Sequence, residues 1–247
     1  MENDKPPRKW TMFDRRVWDL FINPGEVVEV RILGVKGKHE IFGGDYTKGP
    51  ISGYFDDFER FSKAVKEADR IPHGGIFFTL QVIDPRLIGR AFNRLKPSDT
   101  ATGDTDVLAY RWLPVDLDPV RPSGISASEK ELKAALELRE IVSDWMIAEM
   151  AFPRPVKAVS GNGGHLLFRL PDMPANKETR DFVKGTLEGL AQRFNNDQVK
   201  VDTGVDNPAR IWKLYGTTAR KGDEVPAGLN REARPFRMAY IDDLGDG

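Results

Sequence analysis

"VLAYRWLPVDLDPVRPSG" (residues 107–124) is an apolar, strand-like run that carries two aspartates, Asp116 and Asp118, one residue apart. In an extended strand side chains alternate faces, so residues at i and i+2 project from the same side. Asp116 and Asp118 therefore point one way. Val115 and Leu117 point the other way, into a core, and Pro119 is expected to end the ladder because it has no N–H to donate. Two carboxylates this close repel, and each raises the other's pKa unless a cation sits between them. A divalent metal meets that need, since Mg2+ takes hard oxygen ligands, commonly one or two carboxylates together with substrate phosphates and water. The competing reading of an isolated D-x-D is an edge strand with a solvated acidic face, so the pair has to be weighed with the rest of the chain.

Downstream, residues 128–150 form a long amphipathic helix, with Ser126 or Ser128 as its N-cap and Pro153 shortly beyond its end. "VKAVSGNGGHLLFRL" (156–170) reads as strand, glycine turn, strand; residues 177–194 read as a second long helix, and "VKVDTG" (199–204) as a short strand. The order from residue 107 is strand, helix, hairpin, helix, strand, the βαββαβ arrangement of a ferredoxin-like or RNA-recognition-type (RRM-like) module. Upstream, "GEVVEVRIL" (25–33) alternates apolar and charged residues and predicts a half-buried strand. Residues 43–53 predict a loop, 56–69 a helix, 75–83 a buried strand, and 85–95 a short helix that brings Arg90, Asn93 and Arg94 together. The polar stretch 96–106 is the expected boundary between two modules. Its own D-x-D, Asp104 and Asp106, lies in a loop that offers no fixed common face and is set aside.

The chain has 247 residues, enough for one large or two small domains, and 40% of them are hydrophobic, as in a globular protein. With no cysteine there can be no disulfide or thiolate metal site, which suits a reducing, cytoplasmic setting. No apolar run reaches membrane-spanning length, so no membrane partner is expected. A net charge of −1 argues against a simple polyanion-binding module. Locally, however, Arg210, Lys213, Arg220, Lys221, Arg231, Arg234 and Arg237 are opposed only by Asp223, Glu224 and Glu232, and that segment is suited to phosphates.

Two further stretches complete the pattern. In "SGNGGHLLF" (160–168) glycines allow a sharp turn and close backbone approach to a ligand, and His165 opens the returning strand. In "VDTGVDNPARIWKLYGTTARKG" (201–222) Asp202, at a strand end, offers a third carboxylate; Asp206 competes for that role but reads more naturally as a turn cap. Arg210 and Lys213 alternate there with Ile211, Trp212 and Leu214.

Taken in order, these stretches resemble the archaeo-eukaryotic primase superfamily, in its prokaryotic primase-polymerase branch, over about residues 25–222. That family carries a D-x-D, a small-residue turn ending in histidine, and an aspartate followed by a basic stretch; here these look like Asp116 and Asp118, Ser160 to His165, and Asp202 with Arg210 to Thr217. Many relatives place a serine two residues before the histidine, where this chain has Gly163, its own serine being Ser160. The resemblance implies an α+β catalytic domain: an N-terminal α/β module (about 15–105) packed on the RRM-like module (106–222), the active site in the cleft between them, and residues 223–247 as a C-terminal tail.

The resemblance further implies a DNA primase-polymerase, a template-directed nucleotidyltransferase acting on single-stranded DNA, a primer strand and nucleoside or deoxynucleoside triphosphates. Two Mg2+ or Mn2+ ions would be held by Asp116, Asp118 and Asp202. His165, Ser160, the backbone N–H groups of Gly163 and Gly164, Arg210 and Lys213 would hold the nucleotide, and Arg94, Arg121, Arg220 and Lys221 would contact phosphate or nucleic acid. Members of the family often sit beside a helicase, which is an expected partner. Two rival readings are a metal-dependent nucleotide-sugar glycosyltransferase, which gives no reason for the Gly-Gly-His turn, and a non-catalytic RRM-like module, which would show aromatic residues on its sheet rather than carboxylates.

Overall fold

The structure is a computed structural model that describes residues 8–44, 46, 47 and 49–246. The fold is a mixed α+β arrangement of antiparallel sheets. Helix α1 (Arg15–Phe21) leads into β1 (Val28–Leu33), the small pair β2 (Gly37–Lys38) and β3 (Tyr46–Thr47), β4 (Ile51–Phe55), α2 (Phe58–Ala68), β5 (Gly75–Thr79), β6 (Val82–Ile83) and β7 (Lys96–Pro97). The second half holds β8 (Val107–Pro119), α3 (Glu129–Met150), β9 (Val156–Val159), β10 (Gly164–Pro174), α4 (Lys177–Phe194), β11 (Val199–Val201), β12 (Ile211–Lys213), β13 (Thr218–Ala219), β14 (Arg237–Met238) and β15 (Tyr240–Asp243). From β8 to β11 the order is strand, helix, strand, strand, helix, strand, and these strands lie side by side as β11-β8-β10-β9. Among the described residues no helix is long and apolar enough to cross a membrane.

Two sheets share the core. β12-β5-β1-β4-β7 form one; β11-β8-β10-β9-β15, with β6 against β8, form the other. The expected boundary near residue 100 is crossed in both directions, because β12 pairs with β5 and β6 pairs with β8. Residues beyond 222 also enter the architecture: β15 pairs with β9 at the sheet edge. One hydrophobic cluster runs through both halves, with Phe21 packing its ring on Phe78 at 5.5 Å and on Trp112 at 5.2 Å.

The apolar stretch at 75–83 is interrupted at Leu80 and Gln81 rather than forming one strand, and the break has a purpose. Buried Gln81 accepts from the backbone N–H groups of Arg111 (2.7 Å) and Trp112 (3.1 Å) and donates to the Trp112 carbonyl (2.8 Å), replacing ladder bonds on β8. The predicted helix at 85–95 is a 3-10 turn over Pro85–Arg90, and the chain leaves it through Asn93, whose φ of 49° is left-handed. Glu29, placed by alternation on a solvated face, is fully buried. Its carboxylate is satisfied by Arg31 (2.7 and 3.0 Å), Ser52 (2.6 Å) and the Thr102 N–H (3.1 Å), which ties the 96–106 stretch to β1. β8 ends at Pro119 as expected, its last pair being with Val199, although the next N–H, from Val120, still donates to Gln198. Helix α3 starts at Ser128, not Ser126, in a capping box with Glu131.

Arg111 joins the halves. Almost wholly buried on β8, it makes paired contacts to Glu26 (2.6 and 2.6 Å), ahead of β1, and to Asp172 (3.0 and 2.6 Å) on β10. Despite the burial that opposes it at Glu26, this pairing holds both carboxyls below their ordinary values. Carboxyls depressed in the folded state contribute stability above their unfolded pKa and lose it as pH falls through the folded values. Arg111→Met is accordingly expected to lower unfolding free energy by about 2 kcal/mol at pH 7, the partial water exposure of both acids keeping it below the cost of breaking a fully buried pair. The loss should shrink as pH falls below about 4, the usual carboxylate range. Urea titrations of both proteins from pH 7 to pH 3 measure it, and a gap that widens in acid would contradict the assignment.

Candidate active site

The site forms where three neighbouring strands end together. β10 and β8 are antiparallel with His165 opposite Asp116, so the two side chains share a face, and Nε2 of His165 lies 3.5 Å from Oδ1 of Asp116. Asp118, two residues on, shares that face. β11 flanks β8 on its other side, and the Asp202 N–H, just past β11, donates to the Asp116 carbonyl at 2.8 Å. All four side chains line one cleft of about 190 Å³, whose other contributors include Lys213, Arg220, Lys221 and Arg210. Val115 and Leu117, on either side of Asp116, are fully buried.

The acids are electrostatically unsettled. Burial, and then the neighbouring Asp116 charge, push the Asp118 carboxyl above the usual carboxylate range, against the pull of Lys221 and Arg121. Oδ1 of Asp116 is buried and accepts no hydrogen bond, the nearby His165 nitrogen being too far for one. Asp202 is exposed and accepts from the Gly204 N–H through Oδ1 (2.8 Å), leaving its second oxygen open. Among the described residues no three such side chains form a ready-made metal site. The donor set nevertheless fits a hard divalent cation: one orphaned carboxylate oxygen, a second carboxyl unsettled by its neighbour, and a third with an open oxygen. Asp206 turns away, taking Arg180 (2.7 Å) and offering its carbonyl to the Tyr110 hydroxyl (2.8 Å). Asp104 and Asp106 are likewise engaged elsewhere, Asp106 with Arg90 (3.0 Å) and the Gly103 N–H (3.0 Å), Asp104 with Arg180 (3.5 Å).

The glycine turn differs in detail from the expectation. Ser160 closes it, its Oγ accepting from the N–H groups of Asn162 (3.3 Å) and Gly163 (2.9 Å), so the Gly163 donor is used inside the turn. Gly164 lies within the sheet between Val159 and Leu117, and a Cβ there would point at Arg139 and Ala135 of α3. Neither glycine N–H is placed to bind phosphate. A Cβ on Gly163 would stand 2.5 Å from the Leu117 carbonyl and 3.0 Å from Oδ1 of Asp118, which accounts for glycine at this position. The donor that does line the cleft is Asn162: its Oδ1 is fixed by the Ala127 N–H (2.8 Å), so its amide nitrogen is the end left for a ligand.

The cations divide into free and tethered. Lys221 is exposed at the cleft, and Arg210 is exposed there with its guanidinium on the Gly204 carbonyl. Lys213 is buried, and its ammonium bonds Thr217 Oγ1 (2.8 Å), the Thr218 carbonyl (3.0 Å) and the Ile76 carbonyl (3.4 Å); burial pushes its pKa down to about 7. Arg220 is held by His73 and by the Asp69 carbonyl (2.9 Å). Arg121 bonds the carbonyls of Pro119 (3.1 Å) and Ile125 (3.1 Å) and stands 3.6 Å from Asp118, so it shapes the loop after β8. Arg94 is not brought to the cleft; it lines a separate groove with Arg60 and Lys63. Arg234 and Arg237, counted above with the phosphate-suited segment, pair instead with Glu131 (2.8 Å) and Glu129 (2.6 Å) in the first turn of α3.

Two aromatic residues complete the site. Trp212, on β12 of the other sheet, packs its ring on His165 at 4.2 Å, and the Tyr215 hydroxyl lies 3.0 Å from Nδ1 of His165 and 2.8 Å from Nε1 of Trp212. The sequence offered only the spacing W-K-L-Y within a basic stretch, which gives no hint that the rings meet a histidine on another sheet.

No family model matches the chain, and no curated protein matches it. Among solved structures it is similar to the polymerase domain of Mycobacterium tuberculosis Ligase D in complex with DNA, at 14% identity over 92% of this chain and 79% of that one, with a TM-score of 0.47.

The contact geometry of Gly163 predicts that Gly163→Ala destabilises the protein by about 2 kcal/mol, because the obstacle is a strand carbonyl that cannot step aside. Gly185→Ala, at an α4 position where a Cβ meets nothing, should instead stabilise by about 0.5–1 kcal/mol. Denaturant unfolding of the pair checks the contrast, and equal effects would contradict it.

Proposed function

We propose that this chain is a template-directed nucleotidyltransferase, a DNA primase-polymerase that makes or extends primers on single-stranded DNA from nucleoside or deoxynucleoside triphosphates. The observation that carries the reading is the cleft in which Asp116, Asp118, Asp202 and His165 meet at one end of three adjacent strands, with Arg210, Lys213, Arg220 and Lys221 around them. Carboxylates alone would repel a polyphosphate, and cations alone would bind one without chemistry. Their juxtaposition suits a metal-bound triphosphate.

Asp116, Asp118 and Asp202 would hold Mg2+ or Mn2+, which when bound neutralises charge developing on the attacking hydroxyl and on the departing pyrophosphate. Asp118 reaches its ionised form more readily when a cation offsets the Asp116 charge beside it. His165 and Asn162 present N–H donors to phosphate oxygens, and Lys221 and Arg210, being exposed, offer charge to the triphosphate or to the template backbone. Lys213 and Arg220 act from fixed positions, holding the Thr217–Thr218 segment and the end of α2, while Arg220 adds positive potential to the wall.

Synthesis on unprimed and primed single-stranded DNA, followed by pyrophosphate release with each nucleotide pool supplied separately, tests the proposal. Asp116→Ala and Asp118→Ala are expected to lower the rate at least a hundredfold while leaving the melting temperature near wild type. Asp104→Ala, outside the residues that line the cleft, should keep the rate within about twofold. Release of a nucleoside diphosphate from a nucleotide sugar in place of pyrophosphate from triphosphates, or full synthesis by both strand variants, would reject the reading.

A further inference from the structure

The three rings of Trp212, Tyr215 and His165 are buried, and their polar atoms form a closed chain. Indole Nε1 of Trp212 is a donor only, so its proton goes to the Tyr215 oxygen at 2.8 Å. The Tyr215 hydroxyl has one proton of its own, and among the described residues the only acceptor bonded to it is Nδ1 of His165 at 3.0 Å. Were Nδ1 protonated instead, the phenol oxygen would receive two donors and its own proton would be left without an acceptor in a buried place, at a full desolvation cost. One arrangement satisfies every group: Trp212 donates to Tyr215, Tyr215 donates to Nδ1, and the ring proton of His165 sits on Nε2. Burial raises the Tyr215 pKa well above its ordinary value, which keeps the phenol proton in place to be donated.

We infer that Tyr215 is a positioning residue that locks His165 as the Nε2–H tautomer and so aims a fixed N–H donor into the cleft, beside the orphaned Oδ1 of Asp116. Nε2 faces that oxygen at 3.5 Å, too long for a good hydrogen bond, so the donor is held ready rather than consumed. The tilted stack of Trp212 on the imidazole, at 4.2 Å and 41°, blocks ring rotation from the side of the other sheet. Trp212 and Tyr215 belong to the segment that pairs β12 with β5, whereas His165 is on β10, so the lock also ties the donor's orientation to the approach of the two sheets. That this donor serves a triphosphate oxygen rests on the nucleotidyltransferase reading; the tautomer does not.

Nitrogen-15 NMR of protein labelled at its three histidines, recorded without metal or nucleotide, reads the tautomer directly, and the loss of one signal in His165→Gln assigns it. The expected spectrum shows an unprotonated, hydrogen-bonded Nδ1 and a protonated Nε2; a protonated Nδ1 overturns the inference in the wild-type protein alone. Asp116→Ala separates the two influences on the ring. Retention of the Nε2–H form there supports the Tyr215 lock, and a switch to Nδ1–H assigns the tautomer to Asp116 and overturns it. In Tyr215→Phe the Nδ1 signal should move to that of a nitrogen without a hydrogen bond, and KM for deoxynucleoside triphosphate should rise about fivefold with kcat largely kept, as for one misdirected hydrogen bond. An unchanged His165 spectrum in that variant would refute the lock. A protein with the expected tautomer that makes no DNA would refute the proposed activity and leave the lock standing.

Discussion

The structure turns on the register of β8, a strand packed along most of its length by apolar side chains that nevertheless ends with two carboxylates on one face. A slip of one residue would exchange the faces, putting Asp116 and Asp118 in the core and Val115 and Leu117 in the cleft. Several independent contacts forbid it. Gln81 bonds three backbone groups at Arg111 and Trp112, the Arg111 guanidinium grips Glu26 and Asp172, and Trp112 packs on Phe21. The price of holding two like charges together is thus met by apolar and ionic contacts made earlier on the same strand.

A near-neutral chain can still present a polarised cleft if its charges are sorted by partner. Arg111, Arg139, Arg180, Arg234 and Arg237 are all paired with carboxylates that belong to the scaffold. What remains at the cleft is an acidic strand end facing Lys221 and Arg210, with Lys213 held just behind by uncharged and backbone oxygens and Arg220 by His73 and by the carbonyl and carboxylate of Asp69. Exposed charges at such a cleft act over roughly a Debye length, about 8–10 Å at ordinary salt, so their sorting matters more than the net charge of −1.

Much of this was legible along the chain because it depends on local rules. The period of two put Asp116 and Asp118 on one face, helical spacing marked α2, α3 and α4, and glycine and serine marked the turn before His165. The failures are equally local in origin. Alternation placed Glu29 in water, whereas Arg31, Ser52 and Thr102 make its burial tolerable. The glycine N–H groups were assigned to phosphate before the hydroxyl of Ser160 and the flanking strands could be seen to take them up.

The sequence by itself determined which residues could be strands and helices, which carboxylates share a face, and that a histidine follows a tight turn, because backbone periodicity and turn chemistry are properties of neighbours in the chain. Only the tertiary structure decided which charges are free, since Arg234 and Arg237 lie more than a hundred residues from Glu131 and Glu129. It also decided that Trp212 and Tyr215 meet His165. Hydrogen bonds and ring contacts act over a few ångströms whatever the separation along the chain, and only the folded arrangement of the two sheets brings those groups within that range.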